Sequence, residues 1–269
     1  MKTLSLILMF FVTAPLPAMG ANGAFEINQD CAQAGCFAGD SAGFPVTITQ
    51  PGSYVLTSDL LVNSGNDGID IQASPVDLDL NGHSLNGGGS CTGTPVTSCT
   101  GAVGSDGIAL MASATGHIRV HNGTVRGFGN GGITGADDGD GVVLEHLTFA
   151  ENVGDGANLF FNSNSGIVQV RDSTFVRNSP SGLFGNVSLN IENCTFAGNQ
   201  NAGAAPYGGG TIANSRFQNN GKEGIYSVQP NAISLDHDVF NHNNGGSAQW
   251  SFAPMLDMGG NVCTDHACP

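Results

Sequence analysis

Positive charge is what this 269-residue sequence has least of: lysine and arginine number seven against 22 acidic residues, for a net charge of −15. After Lys2 the only lysine is Lys222, and the arginines are Arg119, Arg126, Arg171, Arg177 and Arg216. Binding to a nucleic-acid backbone requires clustered cations, so nucleic acid is excluded as a natural partner. Long apolar runs are missing too. Residues 4–12 form a run too short to cross a bilayer, followed by Pro15, Pro17 and the small stretch Ala18-Met19-Gly20-Ala21. That is the pattern of an export signal, and Ala18/Gly20 is the better small-residue pair for cleavage. The expectation is a signal peptide over residues 1–20. The mature chain is then secreted or periplasmic and not membrane-spanning. Only 11% of residues are charged, whereas glycine numbers 41, which suits turns repeated at every coil.

What the chain has instead is one sentence, repeated. Residues 168–178 read V-Q-V-R-D-S-T-F-V-R-N, residues 189–199 L-N-I-E-N-C-T-F-A-G-N, and residues 142–152 V-V-L-E-H-L-T-F-A-E-N. Looser copies begin at Ile118 and Ile233, and a degenerate one ends at Asn220. The closing apolar residues are Val125, Phe149, Phe175, Phe196, Phe217 and Phe240, spaced by 24, 26, 21, 21 and 23 residues. Such a period signals a stacked solenoid in which each coil covers its neighbour. Stacking predicts a buried phenylalanine column over Phe149, Phe175, Phe196, Phe217 and Phe240. Thr124, Thr148, Thr174 and Thr195 precede the anchors and face outward by strand parity. Three residues past the aromatic anchors runs Asn152/Asn178/Asn199/Asn220/Asn243, an asparagine ladder: asparagine tolerates left-handed corners, and its amide can donate to the neighbouring rung's corner. Glycine before an apolar residue recurs at Gly68, Gly107, Gly132, Gly182 and Gly224 and predicts tight corners. The repeat also accounts for Asn122-Gly-Thr124 and Asn193-Cys-Thr195, which mimic glycosylation signals.

The organisation expected is residues 21–62 as an N-terminal cap and first rung, 63–246 as the helix, and 247–269 as a C-terminal cap. Seven cysteines fall as Cys31/Cys36, Cys91/Cys99, Cys263/Cys268 and a lone Cys194. In an oxidising compartment the close pairs read as local disulfides. Zinc on Cys263, His266 and Cys268 is the crowded alternative. Cys194 occupies the slot held by Ser173 and Ser215 and reads as a small buried thiol.

Coils of N-S-T-F-x-x-N type, the asparagine ladder, the glycine corners and the opening P-G-S-Y-V-L-T-S-D-L at residues 51–60 resemble right-handed parallel β-helices of the pectin-lyase-like superfamily. The resemblance covers residues 45–246. It implies an all-β, right-handed parallel β-helix of ~21–26-residue coils with disulfide-bearing caps at both ends. It does not imply one activity, because that superfamily includes lyases, hydrolases, epimerases and adhesins. Hydrolases of the polygalacturonase type carry paired aspartates followed by G-H-G and R-I-K; Asp137-Asp138 is a pair, but neither following segment is present.

Two constellations carry candidate chemistry. Asp137, Asp138 and Asp140 pack three carboxylates into one loop, read either as a solvated acidic turn or as a calcium site. On the outer face of the stack, the repeat register aligns Asn81, His121, Glu145 and Arg171 in one column and Asp79, Arg119 and Val143 in the next. Asp79, Arg119, His121, Glu145 and Arg171 then converge within about three strand spacings, ~15 Å. The guanidinium fork of Arg119 and Arg171 fits a uronate carboxylate, and His121 beside Glu145 is the candidate base. The solvated alternative is an alternating charge ladder. The reading favoured is a protein that binds an extracellular or cell-surface polysaccharide along a lateral face. A lyase or glycoside hydrolase acting on an acidic glycan is the alternative, and a structural or adhesive surface protein the second.

Overall fold

The computed structural model describes residues 23–101, 104–111, 116–135, 141–161, 166–251 and 254–265. The expected signal peptide, the Asp137/Asp138/Asp140 loop, His266 and Cys268 lie outside the described residues. Each coil contributes a short strand to a nine-stranded sheet, and two strands or one long bent strand to a 17-stranded sheet. Pairing between coils is parallel throughout, for example Val168–Arg171 aligned with Leu189–Glu192 and Thr174–Val176 with Thr195–Ala197. Among the described residues the antiparallel pairing is confined to one hairpin, Ser90–Gly93 with Val96–Thr100.

In seven successive coils the two halves of the larger sheet meet at a single left-handed residue. That column is Asn81, Asn122, His146, Asp172, Asn193, Asn214 and His237, with φ between 50° and 60°. Asparagine and aspartate tolerate this region because their short polar side chains bond locally. One such residue turns the chain and leaves the flanking strands free to pair with the next coil.

Alternating side chains send Val168, Val170, Leu189 and Ile191 inward, all essentially without solvent contact. The phenylalanine column is as the repeat predicts: Phe149, Phe175, Phe196, Phe217 and Phe240 are fully buried. Successive ring centroids lie 5.0, 4.8, 4.8 and 5.0 Å apart, with planes inclined by 16° or less. The spacing follows the distance between paired strands, so one ring per coil fills the interior.

Two columns differ in part from expectation: the ladder amides do bond from coil to coil, but the ladder residues are not themselves left-handed. The left-handed corner is taken by the preceding residue, such as Glu151, Arg177 or Asn219, and not by the ladder asparagines. Asn152, Asn178, Asn199, Asn220 and Asn243 are buried instead. The Asn199 Oδ1 accepts from the Asn178 backbone N–H at 2.9 Å and from Asn178 Nδ2 at 3.2 Å. Asn178 Nδ2 also donates to the Phe149 carbonyl at 3.0 Å. An interior amide thus satisfies backbone groups that the turn leaves unpaired. The glycines have a steric cause as well. Gly182 has no left-handed φ; a Cβ there would meet the Gly203 carbonyl oxygen at 2.6 Å and Phe175 Cβ at 2.9 Å. Crowding between coils, not turn conformation, demands glycine at that column.

At the N-terminal end, Phe25–Ile27 pairs with Gly52–Leu56, and the six-residue helix Gln29–Ala34 carries the Cys31–Cys36 disulfide. Phe25, Phe37 and Tyr54 rings cluster there with centroids 5.2–5.9 Å apart. The hairpin closed by Cys91–Cys99 lies along the side of the stack, where Val96 N–H donates to the Gly198 carbonyl at 2.9 Å. The C-terminal segment continues the stack. Trp250–Ser251, Met255–Gly259 and Val262–Cys263 pair in parallel with the preceding coil, and Trp250 meets Phe240 edge-on at 5.7 Å. Cys194 is free and buried, and burial pushes its thiol up to about 12.

Candidate functional site

Arg119 and His121 leave the strand Ile118–Arg126 on its outer side, because Ile118 and Val120 are committed to the core. On the next coil Glu145 aligns with His121, and on the one after it Arg171 aligns with Glu145. On the preceding coil the register differs by two residues from the expected one: Asp77 aligns with Arg119, and Asp79 with His121. The long insertion between these coils makes the repeat count unreliable there. A two-residue slip preserves the side-chain face, so Val76 and Leu78 still point inward. Asp77 therefore joins the cluster, and Asp79 remains in it one column over.

Glu145 is the centre of the arrangement. Its Oε1 accepts from Arg119 Nε at 2.7 Å and also from Arg119 Nη2, while Arg171 Nη2 reaches its Oε2 at 3.3 Å. Burial pushes the Glu145 carboxyl up, but the hydrogen bond and charge of Arg119, then the charge of Arg171, outweigh it and hold the pKa below the ordinary value. Arg119 also donates from Nη1 to Asp77 at 3.2 Å, and the same nitrogen lies 3.1 Å from His121 Nε2. Burial lowers the Arg119 pKa, yet bonding to Glu145 and Asp77 raises it on balance. His121 is only 6% exposed; Nε2 lies 3.3 Å from Asp77 Oδ1 and Nδ1 3.6 Å from Asp79 Oδ1. All five expected residues come together, with the imidazole nearly enclosed and both arginine side chains more than 40% exposed.

A second group of the same kind was not read from the sequence. Glu151 is held between Arg126, whose Nη2 donates at 2.8 Å, and Arg177. Arg126, Glu151 and Arg177 follow the aromatic anchor by one, two and two residues, so no single offset aligned them. The recoverable signal was the change of sign from coil to coil. Four of the five arginines thus lie on two coils of the larger sheet, paired around the two glutamates of the coil between them.

Two depressions adjoin the first group. One, of about 340 Å³, is lined by Gln169, Arg171, Asn190, Glu192 and Thr211 among others. The other, of about 460 Å³, runs past Ser53, Asp77, His117 and Arg119. Arg171 and Arg119 therefore border open space on either side of Glu145. The Asp137/Asp138/Asp140 loop lies outside the described residues, and among the described residues no group of three His, Cys, Asp or Glu side chains is disposed to hold a metal ion.

Comparison with known proteins agrees with this architecture. Residues 183–265 match a family model described as "Right handed beta helix region". With the parallel solenoid, that match makes the chain a right-handed parallel β-helix protein. No curated protein and no solved structure matches it. Among the described residues no helix is long and apolar enough to cross a membrane.

Proposed function

We propose that the protein is exported and binds a carboxylate-bearing extracellular or cell-surface polysaccharide along the lateral face bordered by Arg119 and Arg171. The observation that carries this reading is the gathering of four of the five arginines onto two coils, either side of one that carries Glu145 and Glu151, in an otherwise acidic chain. A charge ladder built only for stability would have no need to border two open depressions. Both arginine side chains are more than 40% exposed, and a planar guanidinium suits a uronate carboxylate. Successive coils repeat at ~4.8 Å and the arginines sit on alternate coils, so a chain lying along the axis meets guanidinium groups about two strand spacings apart, ~10 Å. The Cys31–Cys36 and Cys91–Cys99 disulfides support export, since such bonds persist in oxidising compartments.

Binding is favoured over cleavage by the condition of His121. A general base must reach a substrate proton, and this ring is almost enclosed by Asp77, Asp79 and Arg119. The test is retardation of the protein in gels containing polygalacturonate, together with assay of the polymer for unsaturated ends and new reducing ends. Retardation without new ends supports binding. New ends that vanish in His121→Ala move the assignment to a lyase or hydrolase using the same face. Absence of both effects refutes an acidic-glycan role for it.

A further inference from the structure

On the outer surface of the nine-stranded sheet, away from the arginine groups, the chain carries a row of rings. Leu183 and Gly185 point inward from the strand Leu183–Gly185, so Phe184 points out. Phe160, on the preceding coil, lies nearly parallel to it at 6.0 Å and is 52% exposed. Tyr207 follows at 5.0 Å from Phe184, turned by 71°, and Tyr226 at 6.3 Å from Tyr207. The residue aligned with Phe184 on the next coil is the small Ala205, which leaves room for the Tyr207 ring. Burial, followed by the neighbouring Tyr226, raises the Tyr207 pKa, so its hydroxyl remains a protonated donor at neutral pH.

An open depression of about 520 Å³ adjoins this row, lined by Phe160, Asn186, Tyr207, Gly208, Gln229 and Asn231. Among the described residues no ionised side chain lines it, in a protein whose other lateral face is crowded with charge. Asn231 Nδ2 donates to the Tyr207 carbonyl at 2.8 Å, which fixes that amide at the rim. Aromatic surface flanked by neutral amides is the complement of a pyranose ring, which offers an apolar C–H face and hydroxyl edges. Successive ring centroids lie 5.0–6.3 Å apart, comparable to the length of one sugar unit along a chain. A partner protein or a second copy would equally cover rings, but the uncharged, amide-flanked lining favours hydroxyl-rich chains.

We propose that Phe160, Phe184, Tyr207 and Tyr226 form a stacking platform for a neutral polysaccharide chain running along the helix axis. The site is separate from the arginine face and stands whether or not that face binds an acidic glycan. The test is affinity electrophoresis of the full chain in gels containing hydroxyethylcellulose, xyloglucan or galactomannan. The parent is expected to be retarded by at least one of the three. Phe160→Ala and Tyr207→Ala should each weaken that retardation at least tenfold while keeping the parent's circular dichroism and its mobility in polygalacturonate. Phe160 is exposed enough that its removal leaves the fold intact, so one variant stays informative if Tyr207→Ala misfolds. The proposal is overturned if none of the polymers retards the parent, or if Phe160→Ala binds like it. It is also overturned if sedimentation finds a dimer that Phe160→Ala disperses, which would assign the row to a second copy.

Discussion

Replacing Phe196 by alanine removes a ring that touches a ring on either side. Phe196 is fully buried, 4.8 Å from Phe175 and 4.8 Å from Phe217, with planes inclined by 6° and 3°. Neither neighbour can close the gap, because each is held in register by its own coil through the Thr174–Thr195 and Thr195–Arg216 alignments. The void therefore persists, and truncating a buried phenylalanine costs ~3–5 kcal/mol under those conditions. With a urea m-value of about 3 kcal/mol/M, the unfolding midpoint should fall by roughly 1–2 M. Circular dichroism reports the whole stack, and fluorescence of the single tryptophan, Trp250, reports the last coil against Phe240. Phe160→Ala is the control, since an exposed ring should cost under about 0.5 kcal/mol. If Phe196→Ala and Phe160→Ala lower the midpoint equally, the stacked column is not what holds the coils together.

The other predictions are shorter. Thiol titration of the unreduced protein should find one reactive group after unfolding and none before, because Cys194 is buried with its thiol pushed up to about 12. Asp155 is buried and its carboxyl is raised to about 6, by burial acting against the Ser181 backbone hydrogen bond. The folded protein then binds a proton more tightly than the unfolded chain does, so this group's contribution is present below about pH 4 and lost as pH rises through about 6. Asp155→Asn should consequently stabilise by ~2–3 kcal/mol at pH 7.5 and by almost nothing at pH 4, in paired urea titrations. An equal effect at both pH values would show that the buried charge is not the cause.

The repeat made the interior legible because each inward position recurs at one step of every coil. Phe149 through Phe240 and Asn152 through Asn243 could be aligned without structure, and the parity of Thr174 and Thr195 fixed which side faced out. Local chemistry within the columns was less accessible. Asparagine suits a left-handed corner and also a buried amide ladder, and only the backbone geometry separates Asn178 from the Arg177 corner before it. Glycine at position 182 is a matter of a carbonyl on the next coil, which sequence alone does not locate.

The candidate site divides along the same line. Arg119, His121, Glu145 and Arg171 lie in coils joined without a large insertion, and their alignment was recoverable. Asp77 and Asp79 precede the hairpin that carries Cys91 and Cys99, and the pairing there shifted by two residues. The ring row of Phe160, Phe184, Tyr207 and Tyr226 was not visible because those residues sit at or near strand ends, where coil length varies. Aromatic residues spaced irregularly in sequence are brought together by a regular stack.

The claim on which the account rests is that the arginine-bordered face holds a carboxylate-bearing glycan. Calorimetric titration of a galacturonate oligomer into the parent and into Arg171→Ala, across a series of salt concentrations, tests it most directly. The account predicts binding by the parent that weakens as salt rises, and at least a tenfold loss on removing Arg171, whose guanidinium borders the open depression beside Glu145. Equal affinity in the two proteins, or no binding by either, would contradict it and leave the two Arg–Glu–Arg groups as braces between coils.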